Sequence, residues 1–418
     1  METSMSAAVI WSEEFLSYRW AHTHPMNPVR LALTMTLAQS LGVLDDVDVS
    51  EPLAIGDDAL TVVHSRDYID AVRAVGSGTA SLSGPLLERL FGLGDSDNPV
   101  FDGMHEAARL LVGGTLAAAQ AVGSGAVRRA VNIGGGMHHA MRSRAAGFCI
   151  YNDCAVAIHW LLENGFDRIA YIDIDAHHGD GVQVAFASDP RVMTVSLHQH
   201  PATLWPGTGW PTEVGEDAAE GSAVNIALMP DTQDRLWLRA FHAVVPSLIA
   251  EFKPQIIISQ CGADSHRADP LTDLSLTVDG QRAAMIAMRD LAEKYCDGRW
   301  IAVGGGGYGV VNVVPRSWSH LLGVVLDRDV DVSTPINESW CATAEQIATQ
   351  VHSEYSQAPV HVMGDGGDVD FVEWDGDTGQ QPPPGIDESA QRQTDRAIMA
   401  TRRAVYPLHG LDPEDPRD

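Results

Sequence analysis

Lysine, cysteine and long apolar runs are all scarce in this chain of 418 residues. Charged residues interrupt its 45% apolar content, so no run reaches the roughly 18 uncharged apolar residues of a membrane span. Five cysteines are too few for a disulfide framework, which predicts a reducing, cytoplasmic location. The first segment carries Glu13, Glu14 and Arg19 and lacks the apolar core of a signal peptide.

Basic charge is also scarce. The chain has 56 Asp and Glu residues against 27 Lys and Arg residues, which gives a net charge of −29, and only Lys253 and Lys294 are lysines. Because such a surface repels phosphates, the composition argues against a nucleic-acid partner. It is compatible with cationic partners such as lysine-rich protein segments or polyamines. A generally acidic surface on a protein that prefers arginine to lysine explains it equally well.

Short apolar runs alternate with longer helical segments between about residues 105 and 330. Such runs are typical of parallel strands that are covered on both faces. Strands are predicted at residues 130–133, 169–174, 192–197, 224–228, 256–260 and 300–303. Helices are predicted at residues 27–40, 105–122, 154–164, 182–187, 234–252 and 278–295. The alternation predicts an α/β fold with one open, mostly parallel sheet and helices on both faces.

The composition changes after about residue 355. The stretch that follows is acidic and rich in glycine and proline, which predicts loop or partial disorder and a solvated backbone. A short returning helix is predicted at residues 397–405. We therefore expect one domain over residues 1–355 and a tail over residues 356–418.

Polar side chains cluster where the strand predicted at 169–174 ends. Asp173, Asp175 and His177 alternate along the chain there, and Asp180 follows. Alternation places the first three on one side, at the carboxyl edge where open α/β sheets bind ligands. Two carboxylates and an imidazole suit zinc or iron, whereas core packing would bury them at a large desolvation cost. A hydrogen-bonded polar turn that caps the next helix is the alternative.

Two further predicted strands end in polar residues. Asp264 follows the strand at 256–260, and two Asp with one His make a three-ligand site that leaves a coordination position open. Taken alone, Asp264 could equally be a cap or loop residue. His138 and His139 follow three glycines after the strand at 130–133, where adjacent histidines suit general acid–base chemistry. An isolated pair of this kind would also suit a surface loop.

A glycine run at residues 304–309 matches the dinucleotide-binding pattern G-x-G-x-x-G, and Asp327 follows at the spacing of a ribose-binding carboxylate. We reject a dinucleotide cofactor because the match lies late in the domain and leaves the Asp and His clusters unexplained. Pro315 is also expected to interrupt the helix that the motif should open. The glycines are instead expected to form a loop that directs the Tyr308 hydroxyl into the cleft.

Taken in order, these blocks resemble the zinc-dependent histone deacetylase superfamily and, within it, the bacterial acetoin utilization deacetylases. The resemblance covers about residues 8–330. The matching segments are 24–30, 97–101, 134–140, 147–153, 171–181, 206–209, 262–264 and 304–308. Segments 266–271 and 274–277 favour the bacterial branch. The resemblance implies an arginase/deacetylase-like fold with a central, mostly parallel sheet of about eight strands.

The resemblance also implies a metal centre. Asp175, His177 and Asp264 would hold Zn²⁺, although Fe²⁺ accepts the same ligands. Relatives hold a potassium ion beside the zinc. The residues that match this potassium site are Asp173, Asp175, His177, Ser196 and Leu197.

Five residues would carry the catalytic roles by the same resemblance. His138 and His139 match the tandem histidines, with Asp173 oriented towards the first and Asp180 towards the second. Tyr308 matches the residue that binds the substrate carbonyl. From the residues themselves, Tyr308 is a suitable oxyanion donor and His139 a suitable general base.

The resemblance further assigns the substrate channel. Gly147, Phe148 and Trp205 would line an acyl-lysine tunnel, and Asp97 matches a rim aspartate that binds the substrate backbone. Arg30 matches an arginine of an inner acetate-exit cavity. Trp205 replaces a more usual phenylalanine, and its larger ring could narrow the tunnel, so the acyl-chain preference is the property most affected.

The predicted activity is removal of acetyl groups from Nε-acetyl-lysine in proteins, with acyl-CoA synthetases among the substrates that the family suggests. Neither nucleic acid nor membrane is expected as a partner. An acetylpolyamine amidohydrolase is the nearer alternative, because it shares the metal chemistry and suits an acidic surface. The other alternative is a catalytically silent binding module that has kept the fold.

Overall fold

Parallel strands form one sheet at the centre of the protein. This computed structural model describes residues 7–351, 355, 357–376, 381–382 and 384–418. In those ranges the strands are β1 Ala7–Ile10, β2 Val49–Ser50, β3 Arg129–Asn132, β4 Ile169–Asp173, β5 Val192–Gln199, β6 Ala223–Leu228, β7 Ile256–Gln260 and β8 Trp300–Val303. Their order across the sheet is β2-β1-β3-β8-β7-β4-β5-β6, and each neighbouring pair is parallel. The predicted eight-stranded parallel α/β sheet is confirmed.

Helices surround the sheet. In the part of the chain that the structure describes, they are α1 Val29–Ser40, α2 Asp57–Leu60, α3 Arg66–Gly76, α4 Gly84–Phe91, α5 Met104–Gly123, α6 Asp153–Glu163, α7 Asp180–Phe186, α8 Asp234–Phe252, α9 Val278–Tyr295, α10 Val314–Val325, α11 Glu338–Ala348 and α12 Glu388–Val405. None of these helices is long and apolar enough to cross a lipid bilayer.

All six predicted strands are present, and their bounds differ from the prediction by at most a few residues. The two strands that the sequence pattern did not predict are β1 and β2, which are four and two residues long. Strand β2 has too few residues to show a period, and β1, an apolar AAVI run, lies outside residues 105–330, where the alternation with helices identified the other strands. Pairing with neighbouring strands places β1 and β2 in the sheet. Ala8 of β1 lies opposite Ala130 of β3, and Val9 of β1 lies opposite Val49 of β2.

The middle of the sheet determines where functional side chains can meet. Strands β3, β8, β7 and β4 are neighbours, and all of their residues are buried. Because they are parallel, their carboxyl ends lie at one edge of the sheet. The segments that follow them, at residues 134–139, 304–308, 261–269 and 174–180, are therefore brought to one place.

Pro315 does not interrupt a helix, contrary to the expectation from sequence. It occupies the first turn of α10, where its missing N–H has no intrahelical partner to lose. The dinucleotide motif is still not supported. Asp327, its expected ribose ligand, accepts hydrogen bonds of 2.7–2.8 Å from the guanidinium of Arg129. Arg129 begins β3, so Asp327 lies at the amino end of the sheet, opposite the glycine loop.

The helix predicted at residues 397–405 is longer than expected and begins at Glu388. It packs on the sheet domain, where Asp395 forms a buried ion pair of 2.7 Å with Arg239 of α8. The hydroxyl of Thr401 also donates to the carbonyl oxygen of Asn225 in β6, at 2.6 Å. Thus α12 covers β6, the edge strand of the sheet.

The start of the predicted tail is also packed. Met363 is fully buried, and Asp365 accepts a 2.7 Å hydrogen bond from Arg316 and a 2.8 Å bond from His266. The prediction of a solvated stretch is wrong for these residues, because a buried carboxylate and its partners hold the chain against the domain. Residues 356, 377–380 and 383, on which the same prediction falls, lie outside the described residues.

Candidate active site

Three ligand-type side chains converge at the carboxyl edge of the sheet. His177 Nδ1 lies 3.1 Å from Asp175 Oδ1 and 3.0 Å from Asp264 Oδ2. One donor atom from each residue lies within 4.8 Å of the other two. Asp175 and Asp264 are buried, and the His177 side chain is 11% exposed. The structure therefore brings together the three residues that were predicted as metal ligands.

The electrostatics of this cluster favour a positive charge. Burial opposes a charged imidazole at His177, but hydrogen bonds to Asp175 and Asp264 outweigh burial and raise its pKa to about 10. Burial and repulsion from Asp175 raise the pKa of Asp264 to about 6, whereas the charge of His138 outweighs burial and lowers that of Asp175. Because the two carboxylates stabilise a cationic imidazole, the same site also suits a divalent cation. Its donor atoms would be the carboxylate oxygens of Asp175 and Asp264 and the ring nitrogen of His177.

Neighbouring groups fix the orientation of the two carboxylates. Asp175 Oδ2 accepts hydrogen bonds from Gln260 Nε2 at 2.7 Å and from the Gly306 amide at 2.9 Å. Asp264 Oδ1 accepts one from the Ala176 amide at 2.8 Å. The remaining oxygens point at His177, which is the arrangement that outer hydrogen bonds give to metal ligands. The sequence prediction did not identify Gln260, which is the last residue of β7.

The tandem histidines each donate a hydrogen bond to a separate carboxylate. His138 Nδ1 lies 2.7 Å from Asp173 Oδ2, and His139 Nδ1 lies 2.7 Å from Asp180 Oδ1. These are the pairings that the resemblance implied. The Tyr171 hydroxyl, which the sequence prediction missed, also donates to Asp173 Oδ2 at 2.7 Å. Each imidazole thus presents its Nε2 to the cleft.

The two histidines differ in their affinity for a proton. Burial alone would lower the pKa of His138, but Asp173 and Asp175 outweigh it and raise that pKa to about 9. Burial and the neighbouring positive charge of His138 lower the pKa of His139 to about 4. At neutral pH His138 is therefore cationic and His139 neutral, so only His139 is ready to accept a proton.

A buried carboxylate holds the loop that carries both histidines. Asp153 accepts hydrogen bonds from the amides of Gly136 at 2.9 Å and Met137 at 2.7 Å, and from the Thr115 hydroxyl at 2.5 Å. Asp153 is the first residue of α6 and is fully buried. The sequence prediction gave it no role, because nothing local marks which distant amides it contacts.

Tyr308 ends the glycine loop that follows β8. Gly305 and Gly307 have φ angles of +139° and +133°, which side-chain-bearing residues rarely adopt. The Tyr308 ring lies 5.6 Å from that of Phe148 in an edge-to-face arrangement. Burial raises the pKa of its phenol well above the ordinary value, and the charges of Asp264 and Asp175 add to this effect. Tyr308 therefore keeps its proton and can act as a hydrogen-bond donor.

Two of the predicted tunnel residues, Gly147 and Trp205, lie beside His139. The ring of Trp205 lies 4.6 Å from that of His139, and Trp205 is 45% exposed. Gly147 lies between them with a φ of +51°, and a Cβ on it would approach His139 Cδ2 to 2.5 Å and Trp205 to 2.7 Å. Phe148 is partly buried, and the Tyr18 hydroxyl donates to its carbonyl oxygen at 2.7 Å. Only glycine fits at position 147.

Two other predicted site residues lie away from the His139 channel, Asp97 at the surface and Arg30 in the interior. Asp97 is exposed on a loop. His24 lies between this loop and the channel, because its Nε2 is 3.1 Å from the Asp97 carbonyl oxygen and its ring is 4.8 Å from the Phe148 ring. Arg30 is buried and donates from Nη1 to the Gly307 carbonyl at 3.0 Å. It therefore lies beneath the Tyr308 loop. The backbone contact of Asp97 with substrate and the acetate-exit cavity at Arg30 stay predictions.

The predicted potassium residues lie on β5, at the end of β4 and in the segment that follows β4. Asp173 ends β4 directly opposite Ser196 of β5, and Leu197 follows in full burial. The Ser196 hydroxyl lies 2.8 Å from His198 Nδ1. Asp175 and His177 face Asp264 from the same segment. The potassium site stays a prediction.

Comparison with known proteins assigns the class to which this fold and site belong. A family model of the histone deacetylase domain matches residues 24–325. The chain belongs to the histone deacetylase family, whose fold implies a catalytic metal.

The relatives in that family include bacterial proteins. The chain is 46% identical over 313 residues to the acetoin utilization protein AcuC of Bacillus subtilis (strain 168), covering 75% of this chain and 80% of that protein. It is 38% identical over 327 residues to AcuC of Staphylococcus aureus (strain MSSA476), covering 78% and 83%. The crystal structure of an HDAC homolog from Aquifex aeolicus matches with a TM-score of 0.77 and 26% identity, covering 94% of this chain and 99% of that one. An HDAC homolog complexed with SAHA matches with a TM-score of 0.78 and the same identity and coverage.

Proposed function

We propose that this protein is a zinc-dependent lysine deacetylase that hydrolyses Nε-acetyl-lysine in proteins to lysine and acetate. One observation carries the proposal: the Asp175, His177 and Asp264 donor atoms converge beside a neutral His139, with the protonated Tyr308 in the same cleft. Metal ligands, a base and an oxyanion donor are the three components that amide hydrolysis by an activated water requires.

Asp175, His177 and Asp264 would hold the cation. A divalent cation bound there supplies a Lewis acid that polarises the acetyl carbonyl and lowers the pKa of water. Zinc is the ion that we propose, and Fe²⁺ accepts the same donors. We also propose a structural potassium ion, which would be held by Asp173, Asp175, His177, Ser196 and Leu197.

His139 would move the protons. Its neutral Nε2 accepts a proton from the attacking water, whose oxygen bonds to the acetyl carbon. Asp180 keeps the proton on Nδ1 and so keeps Nε2 free for this step. When the C–N bond breaks, His139 returns the proton to the lysine nitrogen, which leaves as an amine.

Two other residues would stabilise the charge that develops on the carbonyl oxygen. Tyr308 donates its phenolic hydrogen to the oxyanion, and its raised pKa keeps that hydrogen in place at neutral pH. His138 keeps a positive charge beside the reacting group because Asp173 and Asp175 hold its pKa at about 9. Its role is electrostatic, since a cationic imidazole cannot accept a further proton.

A protein substrate in the cytoplasm completes the proposal. Cys149, Cys154, Cys261, Cys296 and Cys341 are all free and buried, which supports a reducing compartment. The exposed Trp205 at the channel and the exposed Asp97 on the rim loop would contact the residues that flank the acetyl-lysine. Acyl-CoA synthetases are candidate substrates by family resemblance alone.

The test combines metal content with steady-state kinetics on an acetyl-lysine peptide and on N-acetylspermidine. We expect zinc in the purified enzyme and a larger kcat/KM for the peptide. A much larger kcat/KM for N-acetylspermidine would contradict the protein substrate and support the acetylpolyamine amidohydrolase. A metal-loaded protein that hydrolyses neither compound would support the silent binding module.

A further inference from the structure

Asp269 contacts the backbone of Tyr308. The Tyr308 amide donates to Asp269 Oδ2 at 2.7 Å, and the Leu271 amide donates to Asp269 Oδ1 at 3.0 Å. Both carboxylate oxygens are thus used by backbone N–H groups. Asp269 is 7% exposed, so the bond to Tyr308 is shielded from competing water.

Hydrogen bonds hold the first part of the loop that Asp269 contacts, since the Gly304 and Gly306 carbonyls accept from the amides of Cys261 and Ala263 at 3.0 and 2.9 Å. Residues 304–307 are all glycine and carry no side chains that could pack. At the peptide that enters Tyr308, the Gly307 carbonyl accepts from Arg30 at 3.0 Å, and the Tyr308 amide donates to Asp269. Arg30 and Asp269 therefore hold the two polar atoms of that peptide from different parts of the chain. The direction of the Tyr308 Cα–Cβ bond depends on the plane that they fix.

A charged carboxylate at Asp269 costs free energy because of where it lies. Burial, together with the nearby charge of Asp264, raises the pKa of Asp269 well above its ordinary value. A buried acid beside a second buried acid destabilises a fold unless its contacts compensate. Acids held at such a cost are typical of functional sites. The hydrogen bonds from the Leu271 and Tyr308 amides offset part of this cost, and of the two donors only Tyr308 belongs to the proposed site.

We propose that Asp269 is the positioning residue for Tyr308, aligning its hydroxyl with the oxyanion through the backbone N–H. This inference rests on the proposed role of Tyr308 as the oxyanion donor. Asp269 also lies in the segment that carries the ligand Asp264, so one segment sets the metal and the oxyanion donor relative to each other. The Asp269 amide, bonded to the His266 carbonyl at 2.8 Å, fixes this segment internally.

The experiment is a double-mutant cycle in full-length, metal-loaded enzyme. Asp269→Ala removes both acceptors, and we expect kcat to fall roughly 10²-fold, as a displacement of about 1 Å can cause. KM and metal content should change little. In the Tyr308→Phe background, Asp269→Ala should cause no further loss of kcat, because the hydroxyl that it positions is already absent.

Asp234→Ala is the matched control. Asp234 is also buried and accepts two hydrogen bonds, from the Thr277 amide at 2.8 Å and the Thr277 hydroxyl at 2.6 Å, and burial raises its pKa to about 6. It does not contact the Tyr308 loop in the described structure. We expect Asp234→Ala to lower Tm and leave kcat near that of the wild type.

Several outcomes would overturn the inference. Equal losses of kcat from Asp269→Ala in the Tyr308 and Tyr308→Phe backgrounds would show that Asp269 acts independently of the hydroxyl. If Asp269→Ala does not fold or loses metal, Asp269→Asn, which can serve only one of the two donors, replaces it in the same cycle. Metal loss in both variants would assign Asp269 to the metal segment alone.

The proposed role of Tyr308 is judged separately from that of Asp269. A collapse of kcat in Tyr308→Phe, with unchanged kcat in Asp269→Ala, overturns only the role of Asp269. Near-wild-type kcat in Tyr308→Phe overturns both.

Discussion

His138 and His139 are adjacent in the chain, with ring centroids 3.9 Å apart, and yet their pKa values lie on opposite sides of neutrality. His138 lies nearer to Asp173 and Asp175, which stabilise its charge. Burial, together with the neighbouring charge of His138, lowers the pKa of His139 and keeps it neutral. His138 is therefore the cation of the pair, and His139 is the base.

This division predicts unequal effects of substitution. His139→Gln should lower kcat by about 10²–10⁴-fold, the usual contribution of a general base, with metal content unchanged. His138→Gln should cost less, because His138 contributes charge and accepts no proton. Steady-state kinetics with metal analysis on both variants test the assignment. A larger loss for His138→Gln would exchange the two roles.

Metal binding should depend on each of the three convergent side chains. Asp264→Ala removes one of the three side chains that we propose as metal ligands, so we expect loss of both metal and activity. Elemental analysis of purified protein measures the occupancy. Asp279→Ala, at a buried carboxylate that bonds the Asp365 amide at 2.6 Å, is the control and should keep its metal. Full zinc occupancy in Asp264→Ala would remove that residue from the site.

Trp205 should limit the length of the acyl chain. Its ring lies against His139 and Gly147, so a smaller ring would leave more space beside His139 for an acyl chain. We expect Trp205→Phe to raise kcat/KM for butyryl-lysine relative to acetyl-lysine, by roughly 10-fold or more per methylene accommodated. Trp210→Phe, at a second exposed tryptophan, is the control and should leave the ratio unchanged. An unaltered ratio in Trp205→Phe would mean that another residue sets the limit.

Asp365 should stabilise the fold in a pH-dependent way. Burial opposes its charge, but the hydrogen bond from His266 and the charge of Arg316 outweigh burial and hold its pKa below the ordinary value. Such stabilisation is present above the unfolded-state pKa of about 3.9 and is lost as the pH falls through the lower folded value. Asp365→Asn should therefore cost about 3–5 kcal/mol of unfolding free energy at neutral pH, and the difference should shrink below about pH 4.

Asp368→Asn provides the matched control for this measurement. Asp368 forms an ion pair of 3.0 Å with Arg235, but its side chain is 60% exposed, so we expect a cost of at most about 1 kcal/mol. Denaturant unfolding of both variants across pH decides the question. A cost for Asp365→Asn no larger than for Asp368→Asn would show that the buried contacts of Asp365 contribute little to the stability of the fold.

The strands that carry the site were predictable because each is a continuous apolar run. Strands β3, β4, β7 and β8 are fully buried in a parallel sheet, which leaves a recognisable pattern in the sequence. Their polar continuations had to meet, since parallel strands end at one edge. The outer strand β2 is too short to leave such a pattern, and β1, although an apolar AAVI run, lies far before the alternation of strands and helices that identified the others.

The supporting carboxylates were not predictable. Asp153, Asp269 and Asp365 look like ordinary helix or loop acids in the sequence, and their roles come from contacts with amides and side chains far along the chain. No local periodicity or spacing identifies such a partner. For Asp365, the composition predicted a solvated loop, because the stretch around it is acidic and rich in glycine. Its buried contacts with Arg316 and His266 are visible only in the structure.

The sequence by itself determined which chemical groups reach the edge of the sheet, since strand ends and residue types are both local properties. Residue types and spacing alone could not determine what each group does there, and the roles expected before the structure came from the family resemblance. Asp173 and Asp175 are two residues apart, yet one accepts from His138 and the other joins the metal-ligand cluster. The protonation of His138 and His139 likewise depends on burial and on distances to charges, which are properties of the folded molecule. Only the tertiary structure decided them, because electrostatic energy follows separation in space and not separation along the chain.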